Sequence, residues 1–180
     1  MTNNFIFRSP TLDDAQQTLE LMIRCDIAYS GEADSEMEDL INDWENSDLS
    51  QDAWLVMTSA QQVIGYGAVK QWNADVRYDI YVEPTLADDT LFSELLSHCE
   101  ARGKALATGA NGGAHAKCYA ISVNQRLGNA LLAAGFQVAK YIFNMQAKFN
   151  APPVPVKLPE GIALRNPIPG QDDRKIYEVI

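Results

Sequence analysis

Apolar residues change their period several times along the chain, and each change marks an element. "FIFRSP", residues 5–10, alternates and then meets Pro10, which predicts a short first strand. "TLDDAQQTLELMIRCDIAYS" follows with Leu19, Met22 and Ile23 at i, i+3 and i+4, the stripe of a helix packed on a core. Asp13 and Asp14 fall in its opening turns, where carboxylates suit the helix dipole. "DSEMEDLINDWENS" repeats the helical spacing through Met37, Leu40, Ile41 and Trp44. The period then shortens to two. "AWLVMTS", "VIGYGAVKQW" and "VRYDIYVEP" read as three strands joined by the hairpin-length links "AQQ" and "NAD". Gly65 and Gly67 inside the second strand imply a bulge or a close backbone approach.

After Pro84 helical spacing returns through Leu91, Leu95 and Cys99 and is expected to end at Gly103. "GANGG", residues 109–113, reads as a flexible loop: no Lys-Ser or Lys-Thr follows it, so it lacks the phosphate-binding pattern. "KCYAISV" is a strand, "NQRLGNALLAAGF" a short helix closed by Gly135, and "QVAKYIFNMQAKF" a last strand. The order β, α, α, three strands, α, β, α, β predicts an α+β protein. Its sheet is mostly antiparallel, with one β–α–β crossover near the middle.

Four prolines between residues 151 and 159, "APPVPVKLP", make an extended linker that a helix or central strand would reject. The beginning of the chain then recurs: Phe5, Phe7, Arg8 and Pro10 match Ile162, Leu164, Arg165 and Pro167. Asp13 and Asp14 match Asp172 and Asp173 with two residues inserted, and Ile176, Val179 and Ile180 keep helical spacing. The expected organisation is one domain over 1–150, a linker over 151–160, and the first strand and helix of a second domain over 161–180. The natural chain is therefore expected to continue.

Composition narrows the class. The 180 residues are 47% hydrophobic and 21% charged, the balance of a globular protein. No run approaches the roughly 18 apolar residues of a membrane span, and no signal peptide opens the sequence. A formal charge of −10 argues against nucleic acid, whose binders cluster Lys and Arg against phosphates. Cys25, Cys99 and Cys118 are odd in number and far apart, which fits neither a disulfide framework nor a metal site and suits a reducing cytoplasm. Residues 32–52 hold nine Asp or Glu and no Lys or Arg. They are either a solvated helix face or a rim that attracts a cationic amine.

"VIGYGAVKQW", the "YVEP" strand end, the helix after it and "SVNQRLGNALLAAGF" together resemble the GCN5-related N-acetyltransferases, over residues 5–149 in order. The repeat resembles the subset with two such domains in tandem. The resemblance implies a three-layer α/β/α fold, acetyl-CoA as cofactor, a small-molecule amine as acyl acceptor, and a second domain of this kind in the same chain. Its cofactor positions fall on Tyr81, Val82, Ala87, Asp88, Asp89, Thr90 and Asn124.

In that family the helix after the Val-x-Pro strand end offers its N-terminal amides to a pyrophosphate, and glycines let the backbone approach it. Laid from Val82-x-Pro84, the basic or amide position of the family's loop falls on Ala87, and its two glycine positions fall on Thr90 and Phe92. Asp88 and Asp89 stand between them, better suited to starting a helix than to holding a phosphate. The tyrosine that often protonates the leaving thiolate would fall near Leu131 or Leu132. Tyr81, Glu83 and Tyr141 remain as acid–base candidates, with Asp79 beside them; Glu83 reads otherwise as a surface residue and Tyr141 as core. Asn124 could touch the cofactor or cap the following helix. Three functions stay open: a catalytically degenerate domain supporting an N-acetyltransferase, an active enzyme with an altered loop, and a ligand-binding or interaction module without catalysis.

Overall fold

The structure is a computed structural model that describes residues 5–73, 75–107, 115–143, 145, 147–152 and 154–179. The "GANGG" loop lies outside them. The chain divides into two compact units, residues 1–139 and 140–180.

In the first unit the order is β1 (Ile6–Arg8), a 3-10 turn (Leu12–Asp14), α1 (Ala15–Ser30), α2 (Met37–Glu45), α3 (Leu49–Asp52), β2 (Ala53–Met57), β3 (Val63–Trp72), β4 (Asp75–Val82), α4 (Thr90–Ala107), β5 (Ala116–Cys118) and α5 (Gln125–Ala133). The five strands lie in sequence order in one sheet, antiparallel up to β4; β5 joins β4 in parallel through the α4 crossover. The expected α+β class and mixed sheet are those observed.

Period-two burial sorts the side chains into three layers. On one face Val76, Tyr78, Ile80 and Val82 of β4 meet Leu91, Phe92, Leu95, Leu96 and Cys99 of α4, with Leu127 and Leu131 of α5 behind them. On the other face Leu55, Met57 and Tyr66 meet Leu21, Leu40 and Trp44 of α1 and α2. The buried stripe of α1 runs through Thr18, Leu21 and Cys25, while Met22 and Ile23 are only partly buried.

Both readings of the β3 glycines hold. The β2–β3 register slips between Val56 and Met57, a bulge, and a methyl added at Gly65 would stand 3.0 Å from Val56 and 3.3 Å from Leu95. One added at Gly67 would stand 3.1 Å from Leu95. A tighter contact lies in α4, which runs on past the expected stop at Gly103 to Ala107. A methyl at Gly103 would lie 2.1 Å from the Tyr78 hydroxyl oxygen. Tyr78 is buried and packs edge-on against Phe136, so moving its ring would disturb that packing. Gly103→Ala is expected to cost about 1–3 kcal/mol in urea unfolding, and adding Tyr78→Phe should recover part of it.

Several elements differ from expectation, among them the strand expected over 117–123, which pairs only as far as Cys118. Residues 137–143 form no strand, and none is formed by the described residues from 145 to 149; Tyr141, expected in the core, is 76% exposed. Apolar alternation fits a sheet edge but does not supply the paired partner that makes a strand. The short α3 was not expected; Asp48 starts it by accepting from the Ser50 amide.

Among the described residues of the second unit one short helix, α6 (Asp173–Tyr177), is formed, and residues 162–165 are not a strand. Its hydrogen bonds nonetheless repeat those at the start of the first unit. Arg8 donates through both guanidinium ends to Asp14 at 2.6 and 2.7 Å and to the Ser9 carbonyl, and Asp14 accepts from the Thr11 amide. Arg165 donates likewise to Asp172 at 2.5 and 2.8 Å and to the Asn166 carbonyl, and Asp172 accepts from the Ile168 amide. The geometry pairs Asp14 with Asp172, so one residue is inserted between the two copies rather than two. Sequence spacing alone aligned Asp13 with Asp172, because two adjacent aspartates are interchangeable until one of them finds its arginine.

Candidate functional site

Past Tyr78 the last two strands part: β5 pairs with β4 only at Val76, Arg77 and Tyr78. Alternation aims Arg77 and, beyond that point, Asp79 and Tyr81 away from the α4 core and towards α1. A cleft of about 220 Å³ opens there, closed on the α1 side by Cys25, Asp26 and Tyr29 and floored by Asn124 and Leu127 at the start of α5. Asp34 contributes from the loop after α1, so one member of the acidic run faces the cleft.

Most polar groups around this cleft already have partners. Asp79 receives Lys70 at 2.9 Å and Arg77 at 3.0 Å, and the Arg77 guanidinium lies 5.2 Å over the ring of Tyr119. Asp26 accepts from the amides of Asp34 and Ser35. The Cys25 thiol donates to the Val82 carbonyl at 3.3 Å, occupying a backbone acceptor at the splayed strand end. Burial pushes that thiol up to about 12, aided by the nearby Glu83 carboxylate. Burial also raises the phenol of Tyr81, which stacks on Tyr66, and more weakly that of Tyr29. At neutral pH these groups hold their protons and offer no nucleophile.

Glu83, expected as a surface residue, has a side chain only 13% exposed and receives Arg24 Nε at 2.8 Å and the Thr85 hydroxyl at 3.1 Å. An arginine on α1 drew it in, and local sequence cannot show a pairing across 59 residues. Tyr141 belongs to the second unit. Leu131 is buried and Leu132 exposed, and neither can give a proton. Asn124 does what the capping alternative required: its side-chain oxygen accepts from the Leu127 amide at 3.2 Å. Its buried side chain also reaches the cleft wall.

The loop from Glu83 to Thr90 is the place to test for a diphosphate. Asp88 Oδ1 takes the Thr90 amide at 3.0 Å and the Thr90 hydroxyl at 2.6 Å, contacts that hold its carboxyl below the usual range. Asp89 receives Arg126 Nε at 2.5 Å, and the same guanidinium donates to the Asp88 carbonyl at 2.8 Å. Arg126 lies 5.2 Å over the ring of Phe92, which is fully buried in the α4 core. Ala87 and Thr90 are exposed and add no positive charge, and Val82 is buried. An incoming phosphate oxygen would find the Thr90 amide already taken by Asp88, and Asp89 already paired with Arg126. Repulsion between unit charges at 4 Å is about 4 kcal/mol at an effective dielectric of 20.

Arg126 escaped the sequence reading, along with Cys25, Asp26 and Tyr29. A signal for the arginine existed: it is the one base in "SVNQRLGNALLAAGF", two residues after the helix cap, where it can face an acidic loop.

Among the described residues no group of His, Cys, Asp and Glu could hold a metal ion, and no helix is long and apolar enough to cross a membrane. No family model matches the chain, and no curated protein matches it in sequence. Solved structures do. A GCN5-related N-acetyltransferase from Sphaerobacter thermophilus aligns with a TM-score of 0.75 at 24% identity, over 99% of this chain and 57% of that one. This chain thus spans just over half that protein's length. The yncA protein of Salmonella typhimurium, determined with its cofactor acetyl-CoA, aligns with a TM-score of 0.59 at 16% identity over 77% of this chain and 82% of that one. An acetyltransferase of the GNAT family from Staphylococcus aureus Mu50 gives 0.61 at 14% identity, over 76% and 86%. What the chain shares with these proteins is architecture: it is built on the fold of the GCN5-related N-acetyltransferases.

Proposed function

We propose that residues 1–150 are a catalytically silent N-acetyltransferase-fold domain within a protein that transfers acetyl from acetyl-CoA to a small amine. Residues 151–160 are its linker, and a second domain of the same fold begins at 161. In this reading the first domain is a structural partner of the active one. One observation carries the silence: the start of α4 is satisfied by Asp88 on the Thr90 amide and by Asp89 on Arg126. The tandem reading is supported by the recurrence of the Arg–Asp clasp at Arg165 and Asp172, and by the greater length of the Sphaerobacter relative. Three free cysteines accord with a reducing compartment such as the cytoplasm.

Calorimetric titration of this chain with acetyl-CoA tests the proposal. No heat of binding is expected at micromolar ligand. Micromolar affinity would overturn it in favour of an active enzyme with an altered loop. A second reading, a ligand-binding module, is favoured by one feature: the cleft keeps acidic and aromatic walls in Asp26, Asp34 and Tyr29. Binding of a small amine without acetyl-CoA would support that alternative.

A further inference from the structure

The cleft between β4 and α1 is negative and aromatic, and its inner acceptors are already engaged. Lys70 and Arg77 balance Asp43 and Asp79, whereas Asp26 and Asp34 form no ion pair with a described residue. The cleft therefore attracts a cation. Asp79 receives Lys70 and Arg77 on its two oxygens, and the Val82 carbonyl takes the Cys25 thiol. One oxygen of Asp26 holds the amides of Asp34 and Ser35, which leaves its other oxygen and the exposed Asp34. A primary ammonium entering here would give up water and find few replacements for its three donors. A methylated ammonium has no donor to satisfy and is held by aromatic faces instead. Tyr29 and Tyr81 line the cleft, and Tyr119 already carries the Arg77 guanidinium 5.2 Å over its ring. Asn124 adds an independent contact. It is only 8% exposed, its oxygen accepts from the Leu127 amide, and its side-chain nitrogen, at the cleft wall, donates to no described residue. An oxygen on a bound molecule would satisfy that donor. At about 220 Å³ the cleft is smaller than the roughly 300–1,000 Å³ of drug-sized sites, so the molecule is small.

We infer that this cleft binds a small quaternary ammonium compound that carries an oxygen on a short arm. The inference rests on the reading of the cleft as a ligand site and narrows it to a cation that cannot be acetylated at nitrogen. Asp26 and Asp34 supply the attraction, Tyr29 and Tyr81 face the methyl groups, and the Asn124 amide donates to the oxygen.

Calorimetric titration of the whole chain with choline and with ethanolamine tests this, because the two probes differ only in their N-methyl groups. Choline is expected to bind about tenfold more tightly than ethanolamine. It should also bind more tightly than tetramethylammonium, which lacks the oxygen. Tyr29→Leu, at a half-buried position, is expected to lower the affinity for choline to that for ethanolamine. Equal or stronger binding of ethanolamine by the unaltered chain would overturn the inference and leave the cleft as a site for simple amines. Tetramethylammonium binding as tightly as choline would overturn it, and so would a preference for choline that survives Tyr29→Leu. Binding of none of the three probes would overturn both the inference and the ligand-module reading.

Discussion

Phe92→Ala is expected to lower the stability of the first unit by about 3–5 kcal/mol, the range for deleting a fully buried aromatic side chain. Urea unfolding followed by tryptophan fluorescence would show it as a lower midpoint with an unchanged slope. Phe92 packs with Leu91, Leu95 and Leu96 of α4 against the sheet, and its ring also carries the Arg126 guanidinium. Both contacts vanish in the variant. Opening this space is not expected to restore cofactor binding, because Asp88 would still hold the Thr90 amide and Asp89 would still face the loop. A variant that lost stability yet bound acetyl-CoA at micromolar concentration would show that the ring alone was the obstacle.

Asp14→Asn is expected to cost about 2 kcal/mol at neutral pH, and its cost should depend on acidity. The Arg8 guanidinium, with help from Thr11, lowers the Asp14 carboxyl from the usual 3.8 to about 2. Burial acts against this but is outweighed. A displacement of that size is worth about 2 kcal/mol. Because the folded value lies below the unfolded one, the stabilisation is complete above pH 4 and is lost as pH falls towards 2. Wild type and variant should therefore differ most at neutral pH and converge near pH 2. A gap that persisted at pH 2 would mean that shape, not charge, sets the cost. The second clasp is looser: the Arg165 side chain is 58% exposed against 36% for Arg8, so solvent screening leaves its pair little to contribute.

Much of the architecture was readable because burial imposes a period. β3 spans the residues of the alternating run "VIGYGAVKQW", and α2 buries the Leu40 and Trp44 that its spacing singled out. Failures occurred where a partner decides. Residues 137–143 alternate as a strand should, but no described strand pairs with them. The loop chemistry was legible at Asp88, Asp89 and Phe92, since charge and bulk are properties of the residues themselves. Arg126 was not, because its meaning depends on a contact 37 residues away. The walls that α1 gives the cleft were hidden for the same reason: Cys25 and Tyr29 gain a role only once β4 is laid beside them.

The two missing side chains of β3 have a mechanical consequence. Leu95 rests against the bare backbone at Gly65 and Gly67, close enough that a methyl on either would strike it. A notch of this shape indexes α4 along its own axis, as a detent holds a shaft. Sliding or lifting the helix to widen the loop ahead of it would drag Leu95 out of its seat and leave a void in the sheet. A change in how this loop meets a ligand would therefore have to come from the loop's own side chains, with α4 left in its seat.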